Sequence, residues 1–376
     1  MRVLHVHSGN LYGGVETLLA TLWRERAACP AMETSFALCF EGRLGEELRA
    51  AGAEVHTLGA ARASRPLSVR RARAALARLL EANGFDIAVC HSAWSQALFG
   101  AVARESDCPQ AFWMHAPATG RHWLERWARR STPDLVVCNS RFTSESAHLL
   151  YPRTRAEVVH CPVSMGEAIP RLSGNERAAV RAELETTESS VVIAQVGRLE
   201  PLKGHGTHLE ALGRLRELEG WTCWQVGGAQ RPAEFNYLED LKRQAARLGI
   251  ADRVRFIGER KDVPRLLAAS DIYCQPNVGP ESFGLTFVEA MLARLPVVTT
   301  HIGGAREIVD ESCGLFVPPG DAETLRQILQ ALIENQMLRE KLGQCGPSRA
   351  RHLCDVSKRL RDIGETFSFL VRRKAA

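Results

Sequence analysis

The sequence has no uninterrupted apolar run near the ~18–20 residues that a membrane-spanning helix needs, which argues against a channel or an integral membrane protein. It has no Cys-x-x-Cys pair. Its 11 cysteines stand singly from Cys29 to Cys354, which argues against a zinc site or a disulfide framework and predicts free buried thiols in a reducing cytoplasm. No Gly-x-Gly-x-x-Gly follows the first apolar stretch, which weakens a dinucleotide-dependent oxidoreductase. Charge of one sign is scarce as well. Forty-eight basic residues against 43 acidic ones leave a net charge of +5, too little for a strongly basic nucleic-acid binder, so nucleic acid is not an expected partner. Residues 1–9 carry one basic residue, and His5 and His7 break their apolar stretch, so they do not read as a signal peptide.

What is present is an ordinary globular mixture, 45% apolar and 24% charged, over 376 residues. That length makes two domains the default expectation. Short apolar bursts at residues 2–8, 34–39, 54–58, 86–90, 111–115, 134–138 and 157–160 read as strands. Helical patterns separate most of them, beginning with 13–28 and continuing with Val69, Ala72, Leu76, Leu79 and Leu80 on one face. Strands alternating with helices of this length imply right-handed crossovers and a parallel sheet covered on both sides.

Residues 161–174 hold two prolines and two glycines and interrupt the alternation, so they are the expected interdomain linker. It then resumes, with strands at 191–196, 222–226, 254–257, 271–275, 296–299 and 315–317, a helix carrying Leu209, Leu212, Leu215 and Leu218, and helices from Ala322 onward. The expected fold class is therefore α/β, two doubly wound domains facing across a cleft. The expected boundaries are 1–165, 166–355 and a final helix at 356–376 that could cross back to the first domain. In such sheets ligands bind beyond the carboxyl ends of the strands.

Three loops after expected strands suit phosphate. In the first, residues 8–16, Gly13 and Gly14 precede a helix, where close backbone approach and free amides favour an anion; a plain strand-to-helix turn would look the same. The second, residues 197–204, offers Arg198, which can fork onto two phosphate oxygens, and Lys203, a point charge near a helix start; the alternative is a solvated surface loop. The third, residues 279–291, places Glu281 and Glu289 eight apart, with a helix expected to begin near Gly284. The amides of Phe283, Gly284 and Leu285 would then face a phosphate, with carboxylates to accept from sugar hydroxyls. Ordinary helix-start charges explain one of the two glutamates but not the loop as a whole.

In this order and spacing the three loops resemble the retaining glycosyltransferases of family 4 (glycosyl transferases group 1), which have the GT-B fold of two Rossmann-like domains. The resemblance implies that the first domain binds the acceptor and the second a nucleotide-sugar donor, UDP-linked in preference to GDP-linked. Arg198 and Lys203 would neutralise the donor diphosphate, the amides of Phe283, Gly284 and Leu285 would hold the distal phosphate, Glu289 would accept from the ribose, and Glu281 would bind the transferred sugar. His115 matches a histidine near that sugar, Gly13 and Gly14 would line the diphosphate, Gly258 and Arg260 would contact the base, and residues 301–304 would form a wall. A core histidine remains the other account of His115, and His5 and His7 read as structural. The chain departs from many relatives at residues 161–164, Cys-Pro-Val-Ser, where an Asn-Gly-Val-Asp-like turn is usual. No Asp-x-Asp occurs, which suits a fold whose protein cations replace the metal other transferases use, so neither a metal nor a cofactor is expected.

Two further expectations concern partners and alternatives. Trp123 and Trp127 stand one turn apart among Arg121, Arg126, Arg129 and Arg130. They predict either a helix packed on its own core or peripheral contact with anionic membrane from the cytoplasmic side. The acceptor, expected to be met by residues 59–67 and 116–123, is not readable. A non-hydrolysing nucleotide-sugar epimerase and a non-catalytic nucleotide-sugar binder share the architecture and remain as alternatives.

Overall fold

The computed structural model describes residues 1–164 and 172–375. The chain divides into two compact units, Met1–Val163 together with Cys354–Ala376, and Ser164–Leu353. The expected linker lies partly, and the expected 165/166 boundary wholly, outside the described residues.

The first unit is a seven-stranded sheet built from β1 (Arg2–His7), β2 (Glu33–Leu38), β3 (Val55–Thr57), β4 (Ile87–His91), β5 (Gln110–Met114), β6 (Leu135–Cys138) and β7 (Ala156–Val158). Their spatial order is β3-β2-β1-β4-β5-β6-β7, and every neighbouring pair is parallel. The central strands are buried throughout, save Arg2 at the start of β1, which is why they read as near-continuous apolar runs rather than alternating ones. The helix Pro66–Asn83 shows how the sequence sets its coverings. Proline stands in its first turn, Gly84 closes it at φ 57°, and Val69, Ala72, Leu76 and Leu80 are buried against the sheet. The final helix, Val356–Ala375, belongs to this unit. It buries Leu360, Ile363, Phe367 and Leu370, with Phe367 edge-on to Trp113 at 6.3 Å.

The second unit carries β8 (Val191–Val196), β9 (Trp221–Val226), β10 (Val254–Gly258), β11 (Ile272–Gln275), β12 (Val297–Thr300) and β13 (Gly314–Val317). They are parallel in the order β10-β9-β8-β11-β12-β13. The order reverses between β1 and β4 in the first unit and between β8 and β11 in the second. At such a point the loops leaving the two strands turn to opposite sides and open a crevice beyond their carboxyl ends. Two expectations are corrected. The helix of the 209–218 leucines is His205–Gly213, so Leu215 and Leu218 lie beyond it; its end abuts Leu248, and Leu215 is buried in the turn that follows. All 11 cysteines are free and ten are buried, but Cys345 is exposed.

Candidate functional site

At the reversal point of the second unit, β8 leads into the 197–204 loop and β11 into the 276–284 loop. The two are stitched together: Val278 N donates to Leu202 O at 2.9 Å and Gly279 N to the same oxygen at 3.2 Å. Gly204, at φ 73°, opens the helix His205–Gly213. A β-carbon there would sit 1.9 Å from Pro276 O, so only glycine lets the loops come this close. Beneath them, Gln195, Gln225 and His208 form a buried polar layer, with Gln195 donating to Lys203 O at 2.9 Å and His208 Nδ1 lying 2.8 Å from Gln195 Oε1. Burial pushes His208 down to about 3, so it stays neutral.

The two cations singled out in the sequence are both here and both partly occupied. Lys203 pairs with Glu281 across the two loops, and Gln275 Nε2 donates to the same carboxylate at 3.3 Å. Arg198 is held by Glu234, Nη2 to Oε1 at 2.5 Å, and lies 3.1 Å from Glu200. Glu234 is buried in the first turn of Pro232–Arg247. Burial alone would push its carboxyl upward, but the Gln230 amide and the Arg198 guanidinium outweigh that and hold it low. A buried, ionised Glu234 therefore aims Arg198, whose Nε is buried with no hydrogen-bond partner among the described residues.

The third loop ends where the sequence placed it. Gly284 (φ 99°) precedes the helix Leu285–Leu292, and a β-carbon there would lie 2.3 Å from Phe287 Cδ2. The first amides of that helix have no acceptor within it. Phe283 is buried. Tyr273 ties the helix to the sheet by donating to Thr286 Oγ1 at 2.8 Å. Glu289 stands one turn in, half-buried and with no hydrogen-bond or ion-pair partner among the described residues, and burial raises its carboxyl to about 7. Residues 303 and 304 back this loop: Gly304 N donates to Glu281 O at 2.7 Å, and a β-carbon on Gly303 would lie 2.4 Å from that oxygen.

The strand ends on the other side are floored by glycine. Gly227 N donates to Gly258 O at 2.9 Å, and a β-carbon on Gly227 would fall 1.8 Å from Gly197 O. Gly258 is thus placed at this floor. Arg260 is close in sequence but its guanidinium is engaged, at 2.7 and 2.8 Å with Asp262 and at 2.7 Å with Glu183, and these hydrogen-bonded carboxylates raise its pKa. Among the described residues no group of three or more His, Cys, Asp or Glu could hold a metal ion.

In the first unit Gly13 caps the helix Gly14–Arg24 in an extended conformation. Glu16, in its first turn, is buried against His7, Oε1 to Nε2 at 2.7 Å. His115 follows β5 and is half-buried, Nε2 lying 2.8 Å from His91 Nδ1. His5 and His7 stand two apart and so share one face of β1; both are buried and hydrogen-bonded. Sequence reading missed Glu234 and His91. The only signal for Glu234 was an acid two residues after Pro232 at a helix start, and none marked His91 as bonded to His115.

Two family models match consecutive stretches: Glycosyltransferase Family 4 over residues 12–167 and Glycosyl transferases group 1 over residues 176–349. The chain is 39% identical over 156 residues to phosphatidyl-myo-inositol mannosyltransferase of Mycobacterium leprae, covering 40% of this chain and 39% of that protein. It is 27% identical over 299 residues to D-inositol 3-phosphate glycosyltransferase of a Nocardioides species, covering 71% of this chain and 64% of that protein. The matched stretches thus span less than two thirds of either relative's length. Among solved structures, Anabaena Alr3699/HepE in complex with UDP and glucose superposes with TM-score 0.86 at 23% identity, over 98% of this chain and 99% of that one. WaaG, a glycosyltransferase involved in lipopolysaccharide biosynthesis, superposes with TM-score 0.72 at 18% identity, over 98% and 99%. The fold is GT-B.

Proposed function

The chain belongs to the family 4 glycosyltransferases, and from that premise we propose that it moves a sugar from a nucleoside-diphosphate donor to a hydroxyl acceptor with retention of anomeric configuration. UDP is the favoured nucleotide over GDP, and the acceptor is a glycan, a glycolipid or a small-molecule glycoside precursor. The names of the relatives, phosphatidyl-myo-inositol mannosyltransferase and D-inositol 3-phosphate glycosyltransferase, and the UDP and glucose bound in HepE support this reading.

One observation carries it. Arg198 and Lys203 both stand in the loop that leaves β8 at the β8/β11 reversal point, and Lys203 pairs with Glu281 in the loop that leads into the helix Leu285–Leu292. Two cations and a row of helix-start amides suit a pyrophosphate. As the C1–O bond breaks, negative charge grows on the leaving phosphate, and donors already aimed there stabilise that charge without reorganising. Displacement of Glu281 from Lys203 by the incoming phosphate would free that carboxylate for sugar hydroxyls, while the unpartnered Glu289 accepts from the ribose. Phe283, Gly284 and Leu285 supply the backbone donors. Gly258 floors the base subsite; Arg260 serves it by holding the 260–262 turn through Asp262. Gly13, Gly14 and His115 are assigned to the diphosphate and the transferred sugar by the resemblance. The departing phosphate takes the acceptor proton in a front-face substitution, with neither metal nor cofactor. Peripheral contact with anionic membrane from the cytoplasm is favoured by Trp123, which is 49% exposed beside exposed Arg121 and Arg126; no helix among the described residues is long and apolar enough to cross a membrane.

The test is incubation with a panel of nucleotide sugars and candidate acceptors, with the anomeric configuration of the product read by NMR. An inverted product, or isomerised UDP-sugar formed without any acceptor, as an epimerase would give, overturns the reading. Tight nucleotide binding with no turnover on any acceptor would make the protein a non-catalytic binder.

A further inference from the structure

Strand register places three histidines in a line. In the parallel sheet of the first unit His5 on β1 stands opposite Val89 on β4, and His91 lies two residues further along β4. His91 stands opposite Trp113 on β5, and His115 lies two residues further on. Residues two apart on a strand share a face, and directly paired residues of parallel strands do too. The three rings therefore climb diagonally across one face toward the carboxyl ends of the strands. The contacts close: His5 Nδ1 to His91 Nε2 at 2.8 Å, and His91 Nδ1 to His115 Nε2 at 2.8 Å. The rings of His91 and His115 stack at 13°, and Trp113 stacks on His115 at 12°.

Burial pushes His5 and His115 down to about 3 and His91 well below its ordinary value, so all three are neutral. A neutral imidazole carries one N–H and one acceptor nitrogen. Two hydrogen bonds through a shared middle ring then allow only two arrangements. Either every ring is protonated at Nδ1, or every ring is protonated at Nε2. The second puts an N–H on His5 Nε2, which is buried with no hydrogen-bond partner among the described residues. An orphaned buried donor is costly; a bare ring nitrogen in that place is a lone acceptor, which proteins tolerate more readily.

We propose that His5 and His91 are positioning residues that lock His115 in its Nδ1–H form, so that it presents a fixed donor to an oxygen of the bound sugar. The clause about the sugar rests on the proposed function; the lock itself does not. His115 Nδ1 has no partner among the described residues, and His115 is the one ring of the three that is not fully buried by its neighbours. A ring held this way donates at Nδ1 whether or not ligand is present, which spares the reorganisation that a free imidazole would undergo on binding.

Ring nitrogen NMR of the full chain, labelled at histidine and without ligand, reads the lock directly. The His115 signals are those missing from His115→Gln. The Nδ1–H pattern is expected; an Nε2–H pattern, or an average of the two, overturns the proposal. In His91→Leu the His115 pattern should lose its Nδ1–H character. In His91→Asn, whose amide N–H falls near the place of Nδ1, it should be kept. An unchanged pattern in His91→Leu also overturns the lock; should that variant fail to fold, the unmodified protein and His91→Asn still decide. Calorimetry with UDP and with UDP-glucose tests the sugar clause. The preference for UDP-glucose over UDP should fall about tenfold in His91→Leu and return in His91→Asn, and a preference that does not move sinks that clause. If the unmodified protein binds neither compound, the donor assignment fails while the ring spectra still judge the lock.

Discussion

Glu234 grips Arg198 from behind, Oε1 to Nη2 at 2.5 Å, while its other oxygen accepts from the Gln230 amide at 2.7 Å. The guanidinium is thus aimed by a group that need not touch substrate. Glu234→Ala is expected to weaken nucleoside-diphosphate binding about tenfold through lost aim, measured by calorimetry. Arg198→Ala is expected to lower turnover about 100-fold. Equal effects of the two substitutions on binding and turnover would contradict the division of labour.

Gly204 lets the 197–204 and 276–284 loops touch. Gly204→Ala drives a β-carbon to 1.9 Å from Pro276 O at φ 73° and is expected to cost about 3 kcal/mol of stability and to reduce donor affinity. Gly52→Ala is the control. It has a similar φ of 78° but nothing within 4 Å, so only backbone strain of about 1 kcal/mol remains. Urea unfolding of both variants measures the difference.

Burial raises the carboxyl of Glu289, half-buried and with no hydrogen-bond or ion-pair partner among the described residues, to about 7. Ribose hydroxyls donate better to a carboxylate than to a carboxylic acid. Affinity for UDP-glucose, whose own phosphates do not titrate in this range, should therefore rise between pH 6 and 8. Glu289→Gln should flatten that rise. A pH-independent affinity in the unmodified protein would remove Glu289 from the ribose.

Acid should unfold the protein through its histidines. His5, His115 and His208 are pushed to about 3 and His205 to about 4 by burial, and His91 is lowered well below its usual value. As pH falls below about 6.5, the unfolded chain takes up protons that these folded-state rings refuse, so stability is lost from there down through pH 4, at up to about 1.4 kcal/mol per pH unit for each ring. Glu289 works the other way, because its raised folded pKa makes stability fall as pH rises from 4.5 to 7. Five rings outweigh one carboxyl. Denaturant unfolding at pH 7 and pH 5 should show the loss, and His208→Asn should reduce its slope.

The alternation of elements and the turns at residues 197–204 and 279–284 were legible because their signals are local. Glycine, a cation or an acid next to a strand end marks a turn, and the strand that reads as 191–196 is β8. Gly284 lies where the helix start was expected for the same reason. Glu234 and the line through His5, His91 and His115 were not legible, because they depend on which residues of separate strands and helices end up opposite each other. His5 and His91 are 86 residues apart, and nothing in either neighbourhood reports the register between β1 and β4. Arg260 shows a contact that is local. Its nearby Asp262, only two residues away, was readable as a partner, and the structure gives it that partner.

The return of Val356–Ala375 to the first unit has a practical side. A fragment truncated after Val163 would leave Trp113 without Phe367 and Cys29 without the backbone of Gly364, whose β-carbon position is only 2.8 Å from Cys29 Sγ. To be expressed alone, that half must carry its closing helix grafted on, whereas Ser164–Leu353 is one contiguous insert that two cuts would release.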